Sequence, residues 1–205
     1  MKVFPELCLA SQSPRRVELL KSLRIPFYAI SPSVEEGHPA SMKNAGKIIL
    51  DNAERKARSV AEELKHKSDI IVAADTLVLL SGEALGKPTS REDGFRLLKK
   101  QSGKKQLVLT GLVLFSPKLG MRRILVKSSV WFSRIPAKRI KEYLDTKEPY
   151  DKAGAYAVQG LGARFIERIE GSYTNVMGFP LEVFLRELEI FSGLSVFEWC
   201  SERAT

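Results

Sequence analysis

The chain has 205 residues, 44% of them hydrophobic, with no Pro- or Gly-rich linker; this suits a single substantial core and argues against a disordered or low-complexity chain. Its 33 Lys and Arg against 24 Asp and Glu leave a net charge of +9, which favours anionic partners, although the basic residues are spread along the chain and aromatic content is only 8%, so no nucleic-acid surface is signalled. Two cysteines, Cys8 and Cys200, exclude a disulfide scaffold and suit a reducing compartment, and no run approaches the roughly 20 apolar residues of a membrane span, so a cytoplasmic location without leader or membrane anchor is expected.

An apolar run from Val3 to Leu9 reads as the first strand. Small hydroxyl residues follow, and Pro14 falls where a helix would begin, with Ser13 as its N-cap. Arg15 and Arg16 therefore sit in the first helical turn, beside unpaired N–H groups and the positive end of the helix dipole. That placement is unfavourable unless an anion joins it or the side chains extend into water. Pro26 to Ser31 reads as a second strand, and Val34-Glu35-Glu36-Gly37 begins a polar loop. From Met42 to Leu64, Ile49, Ala53, Ala57, Val60, Ala61 and Leu64 recur at helical spacing opposite a face of Lys, Arg and Glu. Asp69 to Ala74 is the nearly continuous apolar run of a strand covered on both faces, and Asp75 is read as its end.

Ser81-Gly82-Glu83, between Thr76–Leu80 and Ala84–Gly86, predicts a hairpin. Ser90 opens a helix to Gln101, with Glu92 and Asp93 in its first turn and Gly103 beyond its end. Gln106 to Phe115 and Ile124 to Phe132 read as two long strands joined by a turn over Pro117 to Gly120, and as the centre of a sheet. Pro136 starts a helix to Asp145, Ala163 to Ile169 is a late strand, and another helix lies within Pro180 to Leu188. Interleaved helices and strands with short hairpins predict an α/β fold, a mixed sheet flanked by helices.

Taken by themselves, the candidate functional residues leave two readings open. Asp75 can bind a metal or accept a proton, or it can cap the turn after its strand. Lys56, Lys87 and Lys152 read by themselves as solvated surface charges. Glu35 and Glu36 are an ordinary acidic pair in a loop, yet magnesium needs only a few carboxylates alongside water and phosphate oxygens. Gln159 carries both an amide donor and an acceptor. His38 and His66 are too widely spaced to predict a histidine-based zinc site.

Ser11-Gln12-Ser13-Pro14-Arg15-Arg16, directly after an N-terminal strand, resembles the signature of the Maf family, nucleoside triphosphate pyrophosphatases that cut between the alpha and beta phosphates. Ala74-Asp75-Thr76, Gly86-Lys87-Pro88, Thr110-Gly111, Gly171-Ser172-Tyr173 and Gly178-Phe179-Pro180-Leu181 extend the resemblance over residues 5 to 190. The block from Glu148 to Gly160, Glu-Pro-Tyr-Asp-Lys-Ala-Gly-Ala-Tyr-Ala-Val-Gln-Gly, is similar to the subgroup that acts on thymidine and uridine triphosphates. Departures are mild: Gln12, Leu112 and Phe179 replace commoner residues, and none removes a charge.

The resemblance implies an inosine-triphosphatase-like architecture, an elongated sheet with two lobes around a groove, over residues 1–190, followed by a tail, 191–205, without a family counterpart. It makes Asp75 the proton acceptor and places Ser11, Arg15, Arg16, Lys56, Lys87 and Lys152 against the substrate. Arg15, Thr76 and Gln159 fall on the specificity positions, and Glu35 with Asp75, aided by Glu36, would hold Mg or Mn. It further implies dTTP and UTP, including modified pyrimidine nucleotides, as substrates, and a homodimer that requires neither nucleic acid nor membrane. The alternatives are a 7-methyl-GTP pyrophosphatase and a basic nucleic-acid-binding or division-regulating protein.

Overall fold

The computed structural model describes residues 4–37, 42–64 and 69–201. Val3, His38, His66 and the end of the tail, 202–205, lie outside the described residues. The strands are β1 (Leu7–Ala10), β2 (Phe27–Ile30), β3 (Ile70–Leu80), β4 (Glu83–Leu85), β5 (Lys105–Ser116), β6 (Gly120–Phe132) and β7 (Ile166–Glu170). The α-helices are α1 (Pro14–Ser22), α2 (Met42–Glu63), α3 (Arg91–Gln101), α4 (Ala137–Leu144), α5 (Tyr173–Val176), α6 (Leu181–Ser192) and α7 (Val196–Ser201), with 3₁₀ turns at Ala153–Ala155 and Leu161–Phe165. The mixed α/β architecture follows, with strand order β2-β1-β3-β5-β6-β7 and β4 added to the edge of β3. No helix among the described residues is long and apolar enough to cross a membrane.

Strands β1 and β2 run parallel to each other and β1 runs parallel to β3, while β3, β5, β6 and β7 are antiparallel neighbours. The centre of the sheet is thus β3 and β5, not β5 and β6. Strand β3 is also longer than its apolar run suggests: Asp75 lies at its middle, opposite Gly111, and does not terminate it. An isolated polar residue in a strand pairs its backbone as well as any other, so Asp75 does not stop the ladder.

Alternation along β3 divides the core. On one face Val72 and Ala74 pack with α1, α6 and α7, while Val78 and Leu80 pack farther along with α3 and α4. These two clusters form the lobes, and Thr76, paired with Thr110, lies between them. On the other face α2 covers Ile71, Ala73 and Leu79. Its small residues Ala53 and Ala57, both fully buried, let the helix settle closely onto the sheet.

Several local expectations change on folding. Ser13 occupies the N-cap of α1, but its hydroxyl makes no capping bond; instead its N–H donates to Ser11 Oγ at 3.1 Å. Ser90 does cap α3, accepting from the Asp93 N–H. The strand expected from Ala163 begins at Ile166, because Leu161–Phe165 winds into a 3₁₀ turn first. Helix α6 runs on to Ser192 before Gly193, in the left-handed conformation, ends it. Beyond it, Trp199 is buried in the α1/α6 cluster with its ring 5.9 Å from Phe4, whereas Phe197 is 81% exposed.

Candidate active site

Strand β1 ends opposite Ala73, and β4 joins β3 only from Val78, so the edge of β3 between them has no strand neighbour among the described residues. A cleft of about 760 Å³ opens at this gap, beyond the carboxyl end of β1, where ligand sites collect in α/β sheets. Ser11, Arg15, Arg16, Lys56, Asp75, Thr76, Lys87 and Gln159 all line it. The folded chain therefore gathers residues spread over almost 150 positions onto one surface.

Asp75 emerges on the α2 side of β3. Its Oδ1 accepts from Lys56 Nζ at 2.8 Å and its Oδ2 from Asn52 Nδ2, also at 2.8 Å. Lys56 Nζ simultaneously meets Glu36 Oε1 at 2.7 Å, so two carboxylates converge on one ammonium. Asn52 exchanges two 2.9 Å bonds with the Gly37 backbone, which fastens the loop carrying Glu36 to α2. Glycine at 111 brings the helix close enough: a Cβ there would lie 2.7 Å from the Ile49 carbonyl oxygen and 2.9 Å from Leu50 N. Asn52 and Lys56 are one and two turns beyond this contact and so reach Asp75.

On the opposite side of the strand, Arg16 fills the unpaired edge. Its guanidinium donates to Ala74 O at 2.7 Å, to Gly178 O at 3.0 Å and to Thr76 Oγ1 at 3.2 Å. Burial lowers its pKa below the ordinary arginine value, opposed by the charges of Asp75 and Glu36. Thr76 Oγ1 also lies 2.9 Å from Thr110 Oγ1 and 3.2 Å from Gly178 O. Gly178 has φ +105°, a conformation that suits glycine, and its carbonyl accepts from both Arg16 and Thr76. The two arginines of the α1 entrance are consequently unlike. Arg16 ties α1 and the Gly178 loop to β3, while Arg15 faces the cleft and has no hydrogen-bond partner among the described residues.

Two expected ligands stand elsewhere. Glu36 lines the cleft and binds Lys56; Glu35 is exposed and is not part of the cleft wall. Lys152 directs Nζ to Glu148 O at 2.9 Å and to the Asp151 carboxylate, and it is Asp151 that lines the cleft. Lys87 is exposed on the wall. Sequence reasoning missed Asn52 altogether, although Asn52 and Lys56, polar residues four apart within the buried stripe of α2, carry the signal.

Among the described residues no group of three or more His, Cys, Asp or Glu forms a metal site. The two carboxylates of Asp75 and Glu36 nevertheless already share a cation, and such hard oxygen donors fit a magnesium- or manganese-type ion that completes its shell with water and phosphate oxygens.

The family model described as Maf-like protein matches residues 6–191. A protein named dTTP/UTP pyrophosphatase from Caldanaerobacter subterraneus subsp. tengcongensis is 42% identical over 182 residues, 88% of this chain and 84% of that protein. Proteins of the same name from Carboxydothermus hydrogenoformans and Methanosarcina barkeri are each 41% identical, covering 92% and 94% of this chain and 97% of their own lengths. Among solved structures, a HAM1 protein from Coxiella burnetii aligns over 98% of this chain and 99% of its own at 14% identity and a TM-score of 0.48. The chain belongs to the Maf-like protein family.

Proposed function

We propose that the chain hydrolyses dTTP and UTP, together with modified pyrimidine triphosphates, to the monophosphate and pyrophosphate. The observation that carries this reading is the single cleft that holds a cationic wall, the buried Asp75 carboxylate and the Gln159 amide together. Relatives about 40% identical over most of the chain bear the matching name.

Arg15 and Lys87, with the backbone N–H groups of Arg15 and Arg16 in the first turn of α1, take the phosphate oxygens and offset their charge. Asp75, held by Lys56 and Asn52, accepts the proton of the water that attacks phosphorus; the O–P bond between the alpha and beta phosphates breaks and pyrophosphate departs. Lys56 keeps Asp75 and Glu36 from repelling each other and the polyanion. A magnesium or manganese ion held by Asp75 and Glu36 would polarise the phosphate oxygens. Gln159 reads the pyrimidine edge, with Arg15 and Thr76 beside it. A homodimer in the cytoplasm accompanies this reading on the strength of the family resemblance.

Pyrophosphate release from a panel of pyrimidine, purine and 7-methyl-guanosine triphosphates with Mg or Mn tests it. The expected result is selective turnover of dTTP and UTP, reduced about 10²–10⁴-fold in Asp75→Asn while nucleotide binding persists. Preference for the methylated guanosine substrate overturns the substrate class. Salt-sensitive nucleic-acid binding without turnover of any triphosphate overturns the enzyme reading.

A further inference from the structure

The wall that presents Gln159 is built around one carboxylate. Glu148 Oε1 accepts from the Tyr143 hydroxyl at 2.7 Å and from the Gly162 N–H at 2.9 Å, while Oε2 accepts from the Leu161 N–H at 2.9 Å. The Tyr143 oxygen in turn accepts from the Ala157 N–H at 3.2 Å. Both ends of the segment Val158-Gln159-Gly160 are thereby fastened to the same anion, directly at Leu161 and Gly162 and through Tyr143 at Ala157. Space is equally constrained: a Cβ at Gly160 would collide with Oε2, and one at Gly162 would stand 2.7 Å from both Ala157 O and the Tyr143 oxygen.

The anion is well matched to its place. Leu161 and Gly162 open a 3₁₀ turn whose first N–H groups would otherwise lack partners, so the carboxylate caps that turn. Burial alone would raise the Glu148 pKa, but the Gly162 N–H, the Tyr143 hydroxyl, the Leu161 N–H and Lys152 hold it below the ordinary value. Lys152, expected among the phosphate ligands, instead ties Asp151 to the Glu148 carbonyl. Glu148 itself is not part of the cleft wall.

We propose that Glu148, relayed in part by Tyr143, is a positioning residue for base selection that fixes the span bearing Gln159. The inference rests on the reading of Gln159 as the group that meets the base. A rigid two-point suspension keeps the amide donor and acceptor in register with a uracil-type edge; a loosened span would let the amide adapt to cytosine as well.

The test compares wild type, Glu148→Gln, Tyr143→Phe, Gln159→Ala and the double variant Glu148→Gln/Gln159→Ala. kcat and KM are measured with UTP and CTP, and hydrogen exchange is followed over 157–162. Glutamine keeps one acceptor oxygen but sets an amide N–H against a backbone N–H, which opens the span with little change in volume. In Glu148→Gln the UTP-over-CTP ratio of kcat/KM falls about tenfold, KM for UTP rises about tenfold, and kcat changes less than about threefold. The Ala157, Leu161 and Gly162 amides exchange faster, and Tyr143→Phe, which leaves the carboxylate in place, moves the ratio the same way by less. In the Gln159→Ala background, Glu148→Gln lowers the ratio no further.

An unchanged ratio in Glu148→Gln despite faster exchange would overturn the inference, as would a full additional loss in the double variant. Unchanged exchange in Glu148→Gln overturns its structural premise independently of catalysis. Wild-type enzyme that turns over UTP and CTP equally overturns the reading of Gln159 and, with it, the role in selection.

Discussion

Replacing Gly111 by alanine would probe the contact on which the surroundings of the Asp75 carboxylate depend. A Cβ at this position would meet the α2 backbone, not a movable side chain, at 2.7 Å from Ile49 O and 2.9 Å from both Ile49 C and Leu50 N. Reaching ordinary separations, roughly 3.5 Å, requires the helix to retreat from β5 by about 0.5–1 Å. Asn52 and Lys56 ride on that helix, and each holds Asp75 across only 2.8 Å. Movement of that size breaks or misdirects both bonds, so kcat/KM should fall about 10–100-fold. Overpacking should lower stability by about 1–3 kcal/mol, partly offset because alanine restricts the unfolded chain by about 0.4–1 kcal/mol relative to glycine. Urea unfolding and pyrophosphate release measure the two effects, with Gly86→Ala as a reference for stability, since a Cβ there meets nothing within 4 Å. Wild-type turnover in a folded Gly111→Ala protein would refute the claim that the close approach of α2 sets the environment of Asp75.

Three further outcomes follow from the geometry. Arg16→Lys should destabilise the protein by about 2 kcal/mol and reduce turnover, because one ammonium cannot span Ala74 O, Gly178 O and Thr76 Oγ1; thermal melting and kinetics check this. Lys87→Met should raise KM for the triphosphate about tenfold, whereas Lys152→Met should raise it less than about threefold, since the Lys152 amine is already engaged by Glu148 O and Asp151. Stability should also fall in acid because Glu148 has a lower pKa folded than unfolded. Its contribution is complete above the ordinary value of 4.5 and is lost as pH drops through the lower folded value. Unfolding midpoints from pH 7 to pH 3 should therefore fall less steeply in Glu148→Gln than in wild type, with Tyr143, Asp151 and Lys152 as the titratable neighbours.

Most elements could be read from local pattern. The buried stripe from Ile49 to Val60 fixed α2, the Ser90 cap and acidic first turn fixed α3, and Ser81-Gly82 fixed the β3–β4 hairpin. Periodicity and turn chemistry act within a few residues, so they survive whatever the rest of the chain does. Where a boundary was set by pairing, the pattern was insufficient. Strand β3 runs through Asp75 because β5 pairs with it across that point, and Ile166 begins β7 only after a 3₁₀ turn over 161–165 whose first N–H groups donate to the Glu148 carboxylate.

By itself, the sequence determined the alternation of helices and strands, the Ser11–Arg16 junction where two arginines enter a helix, and, through the order of its motifs, the family. Tertiary structure alone decided that Arg16 seals the bare edge of β3 while Arg15 lines the cleft, that Glu36 and not Glu35 shares Lys56 with Asp75, and that Lys152 supports a loop. The physical reason is that a charged group acts on whatever lies within a few ångströms of it. Those neighbours are set by where β1 stops, where β4 joins and how closely α2 rests on Gly111, and none of these is encoded near the charged residue itself.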